Sequence, residues 1–193
     1  GEKHHCTFCG LNSQTMSFRA KSPMRVRDEL ADLALQTESF RFQAVDNILD
    51  TAYFETLLPE LARSRTDYNL FYEVKSNLTR AQMKTLADGG VRSVQPGIES
   101  LSSHVLGLMR KGARAIQQVN MLRWAQYYSI RAEWNVLWGF PGEEEADYRE
   151  QVALVARIRH LNPPGCSNRI WMERFSPVYF DEAFRKKFVR PER

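Results

Sequence analysis

Two thiols three residues apart, Cys6 and Cys9 in the run His4-His5-Cys6-Thr7-Phe8-Cys9-Gly10, can share one metal centre. Three chemistries fit that spacing. A disulfide oxidoreductase places such a pair after a strand, at a helix start, where a thiol pKa is lowered. Here the first clear helix signal comes only at Ser22-Pro23. A structural zinc needs four ligands, and with no second pair it would rely on His4 or His5 and Cys166. An iron–sulfur cube held by three thiolates keeps one iron open to a ligand. The pair alone does not choose among these. Cys166 stands by itself, so the cysteines do not resemble a secreted disulfide framework. The cytoplasm is the expected compartment.

Other chemistry-bearing residues sit where apolar runs break off. Glu73 closes one run, within Glu73-Val74-Lys75-Ser76-Asn77, either as a solvated acid at a sheet rim or as a ligand-binding carboxylate. Gln95-Pro96-Gly97-Ile98-Glu99-Ser100 follows the next. Gly97 lets a backbone approach a ligand closely, and Glu99 and Ser100 offer acceptors and a hydroxyl. The same residues would also serve as a turn with a helix cap at Ser100 or Ser102. Lys111 lies near a helix end, where the dipole favours a cation and where it could also meet a carboxylate. Asn135 begins the run that ends in Trp138-Gly139-Phe140-Pro141-Gly142-Glu143, a Pro-Gly turn entering a helix. Glu173-Arg174-Phe175-Ser176-Pro177 closes the last, with Arg174 facing either a cavity or a neighbouring acid.

The elements that must position these groups alternate. Helices are expected from Ser22-Pro23 with Val26, Leu30 and Leu33 buried, over 52–62, from the Thr79-x-x-Gln82 capping box to Gly89-Gly90, from Val105 to Gly112, over 115–128, and over 145–160 with Tyr148, Val152, Val155 and Ala156 inward. Strands are expected at 40–45, 70–74, 91–95, 132–137 and 170–175. Strands separated by helices call for parallel pairing with crossovers, an α/β layer or partial barrel whose ligands bind at the carboxyl ends of the strands.

Bulk composition narrows the classes. The 193 residues suit one domain, and a net charge of +4 from 27 basic and 23 acidic residues, spread along the chain, does not argue for nucleic acid. No apolar stretch approaches a membrane span, and no signal peptide is visible.

Taken in order, the motifs resemble those of the radical S-adenosylmethionine (SAM) enzymes, and most of all the cobalamin-type proteins of ribosomal-peptide (RiPP) maturation. The match is carried by the cysteine run through Leu11-Asn12, by 91–97, by Gly97-Ile98-Glu99-Ser100 with Leu108-Met109-Arg110-Lys111-Gly112, and by 134–142. The resemblance implies a (β/α)6 TIM-like barrel of parallel strands, here without its first strand. Cys6 and Cys9 would be ligands of a 4Fe-4S cluster, whose third cysteine and a cobalamin-binding domain are expected upstream. Phe8 would be a barrier beside the cluster. It further implies that Glu73, Glu99, Ser100, Lys111, Asn135 and Gly139 hold SAM: Glu73 its amino or ribose groups, Lys111 its carboxylate, and the backbone near Leu137 and Gly139 its adenine. Asn135 departs from the Asp or Gly that relatives carry. The implied activity is reductive cleavage of SAM to a 5′-deoxyadenosyl radical that modifies a peptide, with methyl transfer as one form. A flavodoxin- or ferredoxin-type electron donor would serve it, and no nucleic acid or membrane is involved. With two cysteines the chain should hold its cluster poorly. Two other readings stay open: a non-catalytic α/β scaffold with zinc on His5, Cys6 and Cys9, and a barrel hydrolase using Asp46, Glu73 and Glu99.

Overall fold

The computed structural model describes residues 6–10 and 18–187. His4, His5, Leu11 and Asn12 lie outside them. In chain order the elements are α1 (Pro23–Thr37), β1 (Arg41–Gln43), a 3-10 turn (Thr51–Phe54), α2 (Leu57–Ser64), β2 (Asn69–Val74), α3 (Arg80–Asp88), β3 (Val91–Pro96), α4 (Ser103–Leu108), α5 (Ala115–Tyr127), β4 (Arg131–Ala132), β5 (Asn135–Trp138), α6 (Glu145–Ile158), β6 (Cys166–Arg169), α7 (Pro177–Phe180) and α8 (Glu182–Lys187).

Every strand pairing is parallel, in the sheet order β1-β2-β3-β4 and a separate β5-β6 pair. The chain is an α/β layer of parallel strands, as expected, and the described residues do not close a barrel. Alternation on β2 explains the layering. Leu70, Tyr72 and Val74 are buried against Leu57, Leu58 and Leu61 of α2 and Met83 and Leu86 of α3. Phe71 and Glu73 therefore face the opposite side of the sheet, together with their β3 neighbours Ser93 and Gln95.

Local signals set several boundaries. The Ser22 hydroxyl accepts from the Arg25 N–H, with Pro23 at the first turn of α1. Thr79 and Gln82 cap α3 reciprocally.

Four expectations need correction. The last strand is β6, not 170–175. Its residues Cys166-Ser167-Asn168-Arg169 are polar and exposed on both faces, so no alternation announces it. The strand expected at 132–137 is split by buried Trp134 into β4 and β5, though the Glu133 N–H still donates to Val94 O at 2.8 Å. The inward stripe of α1 runs through Leu30 and Ala34, while Leu33 is exposed. On α6, Val152 and Val155 are exposed and Leu154 and Ile158 pack inward.

Candidate functional site

Backbone hydrogen bonds gather the carboxyl ends of the strands into one rim. The Gly97 N–H donates to Val74 O (3.3 Å), Leu137 N–H to Glu99 O (2.8 Å) and Ile170 N–H to Trp138 O (2.8 Å). The segments after β2, β3, β5 and β6 thus lie side by side, where α/β proteins bind ligands.

The cysteine loop is seated on that rim. The Thr7 N–H donates to Met109 O (3.0 Å), Val178 N–H to Thr7 O (2.9 Å) and Cys9 N–H to Cys6 O (3.3 Å). Thr7 is buried, while Cys6 and Cys9 are partly exposed. Phe8, between them, meets Phe140 edge-on with ring centroids 5.7 Å apart. Around this contact a small second core forms from Val105, Leu106, Met109, Phe140 and Ile170.

Lys111 Nζ lies 5.5 Å from the centre of the Phe8 ring and 3.0 Å from Glu99 Oε1, with side-chain exposures of only 13% and 19% for the two partners. Partial burial strengthens such a pair relative to one in open solvent. A Cβ at Gly97 would stand 2.8 Å from Lys111 Nζ, so glycine is what lets the lysine lie along the end of β3. Two of the predicted ligand-binding residues, Glu99 and Lys111, are thus partners of one another, and Lys111 is a neighbour of the cysteine loop.

The other predicted residues are placed differently. Gly139 has φ +92, and its N–H donates to Glu143 Oε2 at 2.8 Å. Tyr148 hydrogen-bonds the same carboxylate. Burial, then that hydrogen bond, pushes the Tyr148 hydroxyl up to about 12. The Gly139 N–H is therefore committed to the turn. Ser100 is fully buried, with its hydroxyl on Gln151 Oε1 at 3.0 Å, so the structure joins it to α6 and not to the rim. Glu73 lies on the face of β2 turned away from the main core, in register with Gln95. Gln95 and Asn135 line a cavity of about 450 Å³ with Arg131, Glu133 and Asn162. Asn135 Oδ1 also accepts from Cys166 Sγ at 3.0 Å. Burial pushes the Glu73 carboxyl above the usual carboxylate range.

Phe8 and Lys111 are both legible in the sequence but not their contact, which spans about half of the 193-residue chain. Glu143, Tyr148 and Glu173 stand in the runs named above, without the contacts they make being assigned there. The Gly-Phe-Pro-Gly-Glu run held the signal for Glu143, since an acid just after a tight turn can accept the turn's free N–H groups.

The radical SAM superfamily model matches residues 2–155, most of the chain and both halves of the rim up to Gly139. The chain belongs to the radical SAM superfamily. The ribosomal protein uS12 methylthiotransferase of Saccharopolyspora erythraea is 32% identical over 178 residues, covering 82% of this chain and 36% of that protein. Among solved structures, the radical SAM methyltransferase TsrM from Kitasatospora setae, with cobalamin and a 4Fe-4S cluster bound, superposes with a TM-score of 0.79 at 20% identity. That match covers 98% of this chain and 36% of TsrM. The cobalamin-dependent radical SAM enzyme OxsB, with aqua-cobalamin bound, gives 0.69 at 16%, covering 95% of this chain and 29% of OxsB. The chain spans about a third of the length of these proteins. Superfamily membership makes it part of an enzyme and sets aside the barrel-hydrolase reading.

Among the described residues no three His, Cys, Asp or Glu side chains gather as a metal site. What they do supply is two sulfur donors on a backbone-anchored loop. Thiolate softness is the donor chemistry an iron–sulfur cluster takes.

Proposed function

We propose that Cys6 and Cys9 hold a 4Fe-4S cluster whose open iron faces SAM, and that the enzyme uses this pair to modify a ribosomally made peptide, with carbon methylation as the favoured form. The observation that carries the reading is the placement of the cysteine loop against Phe140 and against Lys111, which is paired with Glu99, at the rim formed by the strand ends. Bound there, cluster and SAM supply a carbon radical able to take hydrogen from an unactivated C–H bond, chemistry that belongs to the cofactors and not to side chains.

This chain's residues bind, orient and exclude water. Lys111, neutralised by Glu99, offers its remaining N–H donors to the carboxylate of SAM. Glu73, without a cation among the described residues, accepts from the amino or ribose groups. Asn135 and the carbonyl of Gly139 address the nucleoside from β5 and its turn. Phe8 and Phe140 wall the cysteine loop with apolar surface, which limits water beside the thiolates. Ser100 acts behind the rim, holding α6 in place. Cobalamin enters through the likeness to TsrM and OxsB, and a domain N-terminal to these residues would hold it. The peptide substrate and the flavodoxin- or ferredoxin-type donor rest on the sequence resemblance. The cytoplasm, where such donors and reduced thiols persist, is the proposed location.

Anaerobic reconstitution, with iron and sulfide, of the protein together with the upstream segment expected to carry the third cysteine, followed by SAM and dithionite, tests the reading. The expected products are methionine and 5′-deoxyadenosine by mass spectrometry, lost in Cys6→Ala and Cys9→Ala. A colourless protein carrying zinc on the same cysteines would support the scaffold alternative instead.

A further inference from the structure

The segment at 173–178 follows the last strand and touches the cysteine loop from the far end of the chain. The Gly10 N–H donates to Glu173 Oε2 at 2.8 Å across 163 positions of sequence. A Cβ on Gly10 would stand 2.4 Å from Arg174 O and 3.1 Å from two atoms of the Glu173 side chain. Gly10 is therefore pressed flat against this segment. Three residues earlier, Thr7 O accepts from the Val178 N–H at 2.9 Å.

The segment is itself held in shape. Phe175 has φ +70, a left-handed conformation unfavourable for a bulky residue. Fully buried Ser176 fixes that turn. Its N–H and hydroxyl both donate to Glu173 O (3.1 and 2.7 Å), and its hydroxyl caps α7 through the Tyr179 N–H at 3.2 Å. Backbone strain persists where the surroundings over-determine it. Here the outcome is a carboxylate aimed at the first N–H after Cys9.

We infer that residues 173–178 form a strap that sets the Cys6–Cys9 loop before any metal arrives, with Glu173 as a positioning residue acting on Cys9 through the Gly10 N–H. The strap gives the loop contacts at Gly10 and Thr7 besides those that Phe8 makes with Phe140 and Lys111. The inference rests on the reading of Cys6 and Cys9 as ligands for its purpose, but its geometry and its test do not need a metal.

The test is the rate of iodoacetamide alkylation at each cysteine of the reduced, metal-free protein, followed by mass spectrometry. In Glu173→Ala, Cys9 should react about fivefold faster, the scale of one lost hydrogen bond. Exposed Cys166 serves as an internal control and should not change. Glu173→Gln keeps an oxygen that can accept from Gly10 and should return Cys9 to within about twofold of the parent. Gly10→Ala, which forces the loop away from Arg174, should reproduce the Glu173→Ala pattern. An unchanged Cys9 rate in Glu173→Ala overturns the inference. So does a Glu173→Gln protein as reactive as Glu173→Ala, and so does a rise shared equally by all three cysteines, which would report general loosening. Cobalt(II) added to the parent protein, read by its thiolate charge-transfer absorption, separately checks that Cys6 and Cys9 bind metal. Its failure would count against the proposed function while the alkylation rates still decide the strap.

Discussion

Glu73 occupies a position that stability alone would not choose. Burial raises its carboxyl pKa, and among the described residues no hydrogen bond or ion pair to that side chain compensates. A raised folded-state pKa means the unfolded chain releases the proton first as pH rises. Stability is then lost from the ordinary carboxylate value upward, and the loss is complete above the folded-state value. Glu73→Gln should therefore melt higher than the parent at pH 7, by about 1–2 °C, the scale of a partly exposed substitution. The gap should close on acidification through the carboxylate range. The same substitution should weaken SAM binding in the reconstituted protein by about tenfold or more, as expected when an ionised acceptor is lost. Melting curves against pH and equilibrium dialysis check the two halves. A variant that gains neither stability nor loses affinity would show Glu73 to be an ordinary rim acid.

At the scale of elements, α4 and α6 are stapled at their N-termini. Asp147, only 4% exposed, accepts from Ser102 Oγ (2.7 Å), from the Glu144 N–H (3.0 Å) and from His104 Nδ1 (2.9 Å). Burial pushes its carboxyl up, but these hydrogen bonds together outweigh burial and hold it below its usual value. The hydrogen bond and then the charge of Asp147 raise His104 above its ordinary 6.5. A raised histidine contributes stability that is fully present below 6.5 and is lost as pH climbs through the raised value. His104→Ala should therefore melt below the parent at about pH 5.5, by on the order of 1–2 °C, and match it at about pH 8.5. A gap that grew with pH would contradict the pairing.

This staple also marks the limit of what the sequence disclosed. Caps such as Ser22 and the Thr79–Gln82 box were legible because their partners lie within one turn. The order of strand-end motifs was legible for the same reason, each being a local run. By contrast, Asp147 binds Ser102 across 45 positions and Gly10 binds Glu173 across 163, and neither partner has a periodicity that announces it. The β6 strand escaped notice because it is polar on both faces, so an apolar run just after it drew the assignment. On α6 the valines suggested a buried stripe, yet Leu154 and Ile158 face the core.

For the whole molecule, the division of apolar residues into two clusters decides how it opens. The larger one packs β2, β3 and their helices around Leu57, Leu58, Met83, Leu86 and Val94, while the cysteine loop rests on the smaller one built around Phe140. Regions with fewer buried contacts open at lower free energy, often as cooperative units. The rim and the cysteine loop should therefore open together, ahead of the main sheet. Phe140→Ala removes a side chain 2% exposed and should cost about 3–5 kcal/mol, concentrated in that unit. In hydrogen exchange, protection of the Thr7, Met109 and Leu137 amides should fall by about two to three and a half orders of magnitude, since each closes a hydrogen bond around the smaller cluster. The Leu70 amide, bonded to Gly90 O within the main sheet, and Glu133, bonded to Val94 O, should change by less than about threefold. An even loss across both sets would mean that the clusters unfold as one, and the site would then carry the stability of the entire sheet.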